Sequence, residues 1–363
     1  MAKRVGVDKV LFCTTLILVV IGLVMVFSAS AIIATAQFGS PYSSLIKQAI
    51  WAVIGLATMT VLMQVDYRRY NHPRLVFPLV AVTSLALLVV FAMPMSHGAH
   101  RWLKLGPLSF QPSEMAKPVL VLFLAWFLQN KLQMINDWRG TLIPAALPSL
   151  LFIGLIMKEP DLGTALVCAG VTALMLYLAG MNVKYLLAAA AAAAPVLAYM
   201  LLFVKFRRDR LLAFLFPERD PLGIGYHMNQ SLIAVGTGGV FGRGYMEGVQ
   251  KLFYLPESHT DYIFANISEE LGLVGALVVV ALFVVLGYRG LRAALLSRDP
   301  FARFLAFGIT TTILIQAFFN ISVVLSIVPT KGITLPFVSY GGTSLFITLL
   351  SIGVLLNITR ECD

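Results

Sequence analysis

The sequence predicts an all-α polytopic membrane protein with ten transmembrane helices, and three observations predict it. Hydrophobic residues fill 59% of the 363 positions and charged residues only 12%, where a soluble domain of this size carries roughly 25% charged residues. The mean hydropathy is +0.87. The apolar runs are too long and too numerous for one globular core. The formal charge of +10 then reads as Lys and Arg gathered in cytoplasmic loops, not as nucleic-acid binding.

Each expected span is near the roughly 20 residues that a bilayer crossing needs. Val10–Ala34 comes first; it is too long for a signal-peptide core and has no convincing cleavage site, so it stays as a helix. Ser44–Val65, Pro73–Met93 and Ser113–Asn130 follow. Thr141–Met157 and Leu162–Met181 are parted only by "KEPD", a tight turn. Lys184–Val204 carries the small-residue run Ala188–Pro195, which suits close helix packing in lipid. Tyr262–Leu286, Phe304–Val324 and Leu335–Ile358 complete the set. The chain reads as a single transmembrane domain over residues 1–363 with one large extracytoplasmic loop, about 205–261, between the seventh and eighth helices. Cys13, Cys168 and Cys362 show no paired spacing, so neither a disulfide framework nor a metal site is indicated.

The charges orient the bundle with both termini inside. Lys3, Arg4, Lys9, Arg68, Arg69, Arg74, Lys131, Arg139, Lys184, Arg289, Arg292, Arg298, Arg303 and Arg360 fall at the cytoplasmic ends. The short external loops hold only Arg101, Lys104, Lys158 and Lys331. The large loop breaks the trend with Lys205, Arg207, Arg208, Arg210, Arg219, Arg243 and Lys251, cations suited to an anion outside or to lipid headgroups.

Ionisable groups at membrane depth are expensive, and here they gather on the outer side. "SHTD" fits a capping box, with Ser258 as N-cap and Asp261 at the third helical position. Its alternative is chemical: Asp261, beside Glu257 and His259 at a helix entrance, is a candidate general base. Glu114 and Lys117 share a helix face, either as a local ion pair or with Lys117 holding a phosphate. Glu159 and Asp161 flank a proline, and Asp161 suits a cap for the sixth helix. "PTKGITLPFVSYGGTSL" breaks the last span with polar backbone, so Lys331 and Ser339 are expected to face a cavity or a re-entrant turn. Together these residues fit an outward-facing site for an amphiphilic anion, with cations for a pyrophosphate and apolar grooves for a lipid tail.

Five ordered stretches carry a resemblance that spans nearly the whole chain: "VMVFSAS", "GAHRWLKLGPLSFQPSEMAK", "QSLIAVGTGGVFGRG", "QKLFYLPESHTDYIFANISEELG" and "PTKGITLPFVSYGGTSL". They resemble the SEDS family of shape, elongation, division and sporulation proteins. Within it the wording is more like the division branch, FtsW, than the elongation branch, RodA, and the sporulation branch, SpoVE, is not separated from FtsW. The resemblance implies a ten-helix peptidoglycan glycosyltransferase of the bacterial plasma membrane, at the division septum for the FtsW branch. Its implied substrate is lipid II, the undecaprenyl-pyrophosphoryl disaccharide-peptide. Its implied partners are a class B penicillin-binding protein and other divisome or elongasome membrane proteins. The family's essential loop carboxylate falls on Asp261, and its Glu and Lys at the fourth helix fall on Glu114 and Lys117. Arg101, Arg243, Lys331, His259 and Ser339 complete the expected substrate contacts. Pyrophosphate leaving groups often bring Mg²⁺ or Mn²⁺, and the sequence leaves that open. The rival readings are a flippase for a lipid-linked substrate and a scaffold that only recruits the penicillin-binding protein.

Overall fold

The computed structural model describes residues 6–94, 100–105, 108–216, 223, 225–252 and 254–361. Cys362 and the side chain of Lys104 lie outside what is described, as does Arg219. The described chain is almost wholly helical, as hydrocarbon requires of backbone that must satisfy its own hydrogen bonds. Its helices are α1 (Lys9–Phe38), α2 (Ser43–Leu62), α3 (Pro73–Val89), α4 (Pro112–Gln129), α5 (Ile143–Lys158) and α6 (Leu162–Leu178). Then come α7 (Val183–Phe203), α8 (Lys205–Leu215), α9 (Tyr226–Gly238), α10 (Ile263–Leu296), α11 (Pro300–Val324) and α12 (Gly342–Thr359). One antiparallel hairpin, β1 (Leu103–Leu105) with β2 (Leu108–Phe110), precedes α4 and pairs Leu103 with Phe110. The apolar periodicity gave no hint of it.

Among the described residues eight helices are long and apolar enough to cross a membrane: α1, α2, α3, α5, α7, α10, α11 and α12. The other two expected spans correspond to α4, which carries two charges in its first turns, and α6, which is too short. α4 opens on Glu114 and Lys117 and is buried along most of its length. α6 is apolar but only 17 residues long, and it too has a largely buried face. Helices sheathed by other helices need less apolar surface than those facing lipid.

Two expected boundaries move by seven residues or more. The last span was placed from Leu335, but α12 begins at Gly342 and residues 335–341 are not helical. The eighth was placed at Tyr262–Leu286, whereas α10 runs to Leu296 and breaks at Gly272, with φ 67° and ψ −165°. Backbone of Val240, Phe241 and Gly242 lies where a Cβ on Gly272 would stand, so only glycine fits.

Close approach at small residues sets the packing. Gly22 on α1 meets the backbone of Phe337 and Val338, and Gly353 on α12 meets Met59 on α2. One end of the bundle gathers the start of α1 and the end of α12. There the Asp8 amide donates to Thr359 Oγ1 at 3.3 Å, Arg289 pairs with Asp8 at 2.6 Å, and Arg68 grips Glu361 through two bonds of 2.7 and 2.6 Å. The Asp261 region and the 159–161 turn lie at the opposite end of the helices that carry them.

Candidate active site

Asp261 closes a run of turns that leads from the Gly-rich loop into α10. The capping-box expectation fails: α10 starts at Ile263, its N-cap is Tyr262, and no side chain caps it. Ser258 is buried instead, with a hydroxyl that has no partner. Asp261 is thus free of a capping duty. Its backbone carbonyl accepts from Asn320 Nδ2 at 2.8 Å, and its Oδ2 lies 2.9 Å from where a Cβ on Gly332 would stand. Asp261 keeps partial exposure, yet the protein packed around its carboxyl dominates the electrostatics. Burial pushes its pKa up to about 7, with Glu257 and Asp161 adding to the rise and Arg210 and Arg101 opposing it.

The cations that oppose that rise are fixed by main chain. Arg101 donates from Nε to the Glu159 carbonyl at 2.9 Å and from Nη2 to the Pro160 carbonyl at 2.7 Å. Arg210, on α8, reaches the Thr330 carbonyl at 3.5 Å, and burial lowers its pKa. Both guanidiniums therefore act on Asp261 through space, without forming an ion pair with it. Burial lowers the pKa of His259 against the pull of Glu257, and its ring lies 5.5 Å from that of Tyr340. Lys331 sits over the Phe319 ring at 5.8 Å, and burial lowers its pKa.

Of the two expectations for Ser339, a cavity-facing hydroxyl and a structural turn, its contacts fit the turn. It is buried; its Oγ donates to the Thr260 carbonyl at 2.6 Å and accepts from Leu335 N at 2.7 Å. Arg243 likewise stands apart from Asp261. Its amide donates to the Glu269 carbonyl at 3.0 Å, and its guanidinium lies 3.7 Å from the Glu269 carboxylate. That glutamate and its neighbour fasten the Gly-rich loop. Lys251 donates to Glu270 at 2.6 Å and to Ser28 on α1 at 2.8 Å, all three side chains being buried.

Glu114 and Lys117 form an ion pair of 2.8 Å, and both are buried. Lys117 also donates to Gln316 Oε1 at 2.6 Å, while Gln316 Nε2 donates to the Thr334 carbonyl at 3.0 Å. One turn along α11, Asn320 Nδ2 donates to the Ile333 carbonyl at 2.6 Å as well as to Asp261. The Lys117 pair and Asp261 are therefore joined through one face of α11, not by contact. Lys117 lines a small cavity of about 20 Å³, room for about one water, with Thr312, Gln316, Thr348 and Ser351. Gln316, Asn320 and Arg210 were missed as individual site residues. Two amides four apart in an apolar helix were the available signal for the first two.

Asp161 caps α6, accepting from Thr164 N at 3.1 Å, as the cap reading holds. Glu159 behaves differently: its side chain is fully buried and neither carboxyl oxygen has a hydrogen-bond partner. Burial and the nearby Asp161 push its pKa up to about 8, against the pull of Arg101. The fold thus favours the neutral acid. That preference stabilises the protein at low pH and is lost as pH rises from the ordinary value of 4.5 through about 8. Glu159→Gln is expected to raise the melting temperature in detergent at pH 9 and leave it nearly unchanged at pH 4. An equal change at both pH values would rule out ionisation as the cause. Among the described residues no three His, Cys, Asp or Glu side chains come together in metal-ligand fashion.

The comparisons with known proteins agree with the resemblance. Residues 8–363 match the FtsW/RodA/SpoVE family, described as cell cycle protein. The chain is 41% identical over 357 residues to the probable peptidoglycan glycosyltransferase FtsW of Geobacter metallireducens, covering 98% of this chain and 95% of that protein. It is 40% identical over 362 residues to stage V sporulation protein E of Bacillus subtilis, covering 99% and 98%. Identities of 41% and 40% leave the division and sporulation branches unseparated. A chain of a peptidoglycan synthase complex, solved to show how polymerization and crosslinking are coordinated, gives a TM-score of 0.80 at 29% identity over 98% of both chains. The crystal structure of the rod shape determining protein RodA of Thermus thermophilus gives 0.71 at 27% identity, over 98% of this chain and 97% of that one. The chain belongs to the FtsW/RodA/SpoVE family of cell cycle proteins.

Proposed function

We propose that the chain is a peptidoglycan glycosyltransferase that polymerises lipid II at the outer face of the bacterial plasma membrane. The observation that carries this reading is Asp261: a partly open carboxyl whose pKa is about 7, with Arg101 and Arg210 close enough to act on it. A general base works best when its pKa lies near the working pH, and an ordinary surface aspartate does not meet that condition. The relatives named as glycosyltransferases support the same activity.

In this mechanism the Asp261 carboxylate takes the proton from the GlcNAc 4-hydroxyl of one lipid-linked substrate. The freed oxygen attacks the anomeric carbon of the MurNAc of the other with inversion. The bond from that carbon to the pyrophosphate oxygen breaks, and undecaprenyl pyrophosphate leaves with the electron pair. Arg101 and Arg210 offset the charge that develops on it. Lys117, on the wall of the small cavity beside α11, is the cation assigned to a phosphate of a bound substrate.

The topology that goes with this reading has ten spans, α4 and α6 included, with both termini in the cytoplasm. The basic ends at Arg68 and Arg289 then face the cytoplasm and Asp261 faces outward. A class B penicillin-binding protein is the partner that crosslinks the product, within the divisome at the septum or the elongasome. The structural likeness to a peptidoglycan synthase complex supports that pairing.

The test is polymerisation of purified lipid II by the purified chain, with and without a class B penicillin-binding protein. Glycan strands are expected from the wild type. Their absence in both arms, with translocation of lipid II across proteoliposomes instead, would favour a flippase.

A further inference from the structure

Four consecutive carbonyls lead up to the Asp261 side chain, and each accepts a hydrogen bond from a different residue. Asn266 on α10 donates to the Ser258 carbonyl at 2.8 Å. The Tyr340 amide donates to the His259 carbonyl at 2.9 Å. Ser339 Oγ donates to the Thr260 carbonyl at 2.6 Å, and Asn320 on α11 donates to the Asp261 carbonyl at 2.8 Å. The donors are themselves tied down. Ser339 accepts from Leu335 N, Asn320 also holds the Ile333 carbonyl, and Gln48 on α2 donates to the Ser339 carbonyl at 3.1 Å. Asn266, Asn320, Ser339 and Gln48 are all buried.

Burying so many polar side chains costs stability, the more so as the Oδ1 atoms of Asn266 and Asn320 have no hydrogen-bond partner, and a simple loop would not need them. The segment already closes its own turns, with Thr260 N and Tyr262 N bonded to the Glu257 carbonyl. The surplus bonds do something else: they remove the backbone freedom of residues 258–261 from three directions. We propose that Ser339, Asn320 and Asn266 are positioning residues for the Asp261 carboxylate. They hold its backbone so that the base meets the acceptor hydroxyl in one geometry. The broken, polar stretch before α12 is thereby assigned a purpose: it carries Ser339 and Tyr340 to the loop, and lines no cavity with Ser339. This rests on the reading of Asp261 as the base.

A shift of about 1 Å in a catalytic group costs on the order of 100-fold in rate. The experiment measures polymerisation of lipid II by the full chain with its penicillin-binding protein, comparing wild type, Asp261→Asn, Ser339→Ala, Ser339→Thr and Asn320→Leu. Melting in detergent is recorded for each. Expected are cooperative melting for Ser339→Ala and Asn320→Leu, and kcat reduced about 10- to 100-fold with KM for lipid II within about threefold. The pH at which the rate is half-maximal should also move, and Ser339→Thr, which keeps the hydroxyl, should recover most of the rate. Wild-type kcat in the folded variants would overturn the proposal. So would a loss confined to KM with an unmoved pH profile, or variants that fail to fold, since either makes the role purely structural. If wild type and Asp261→Asn polymerise equally, the underlying reading of Asp261 has failed instead.

Discussion

Asp261→Asn is expected to abolish glycan polymerisation while leaving the chain at least as stable as the wild type. A positioned general base contributes roughly 10²- to 10⁴-fold, so the loss should reach the floor of a lipid II assay. The stability half follows from the sign of the pKa shift. The folded carboxyl sits at about 7, above its ordinary 3.8, so its neutral form suits the fold better than its charged form. Stability from this group is full below the ordinary value and is lost as pH rises through about 7. The asparagine never ionises and escapes that loss. Melting temperatures of the two chains should agree near pH 4 and favour the variant at pH 8. Partial exposure of Asp261 keeps the difference small.

Activity runs the other way in the wild type. The base must be ionised to take a proton, so the polymerisation rate should climb about tenfold per pH unit below 7 and level off above it. A site that is more active where the protein is less stable is the expected signature of a functional carboxylate held in an unfavourable environment. A flat pH profile through 7, with a fully active Asp261→Asn chain, would remove Asp261 from the chemistry and return it to the status of a loop residue.

The helices were legible because lipid leaves the chain little choice: long apolar runs such as Val10–Ala34 and Phe304–Val324 must be helical. The ends were less so. α12 begins only at Gly342, after a non-helical stretch whose Ser339 and Tyr340 hold the Asp261 loop, a duty set by partners about 79 positions away in sequence. Ser339 read either as a cavity-facing hydroxyl or as part of a turn for the same reason: its two bonds are invisible to local pattern. Asp261 was legible as a carboxyl at a helix entrance, but its cap role was a false reading, since α10 starts too late for it. Arg210 was visible only as one of several loop cations, because its place near Asp261 depends on how α8 folds back toward Thr330. Glu159 read as part of a turn; its complete burial without partners is a property of packing alone.

Lys117→Met is expected to do two kinds of damage that a second substitution can separate. The single change leaves the Glu114 carboxylate buried without its partner at 2.8 Å, and Gln316 loses its donor at 2.6 Å. Breaking one side of a buried pair costs about 3–5 kcal/mol, enough to lower the melting temperature sharply. Polymerisation should vanish too, but an unstable chain cannot say why. The double variant Glu114→Gln/Lys117→Met removes both charges together, and replacing a whole buried pair by neutral groups of similar size is often neutral. Its melting temperature should recover most of the loss. If Lys117 holds a substrate phosphate, the double variant stays inactive despite its stability, because the small cavity with Thr312, Thr348 and Ser351 has lost its cation. Recovery of polymerisation along with stability would make the pair a structural strut only, and the charge for the leaving pyrophosphate would then have to come from Arg101 and Arg210 alone.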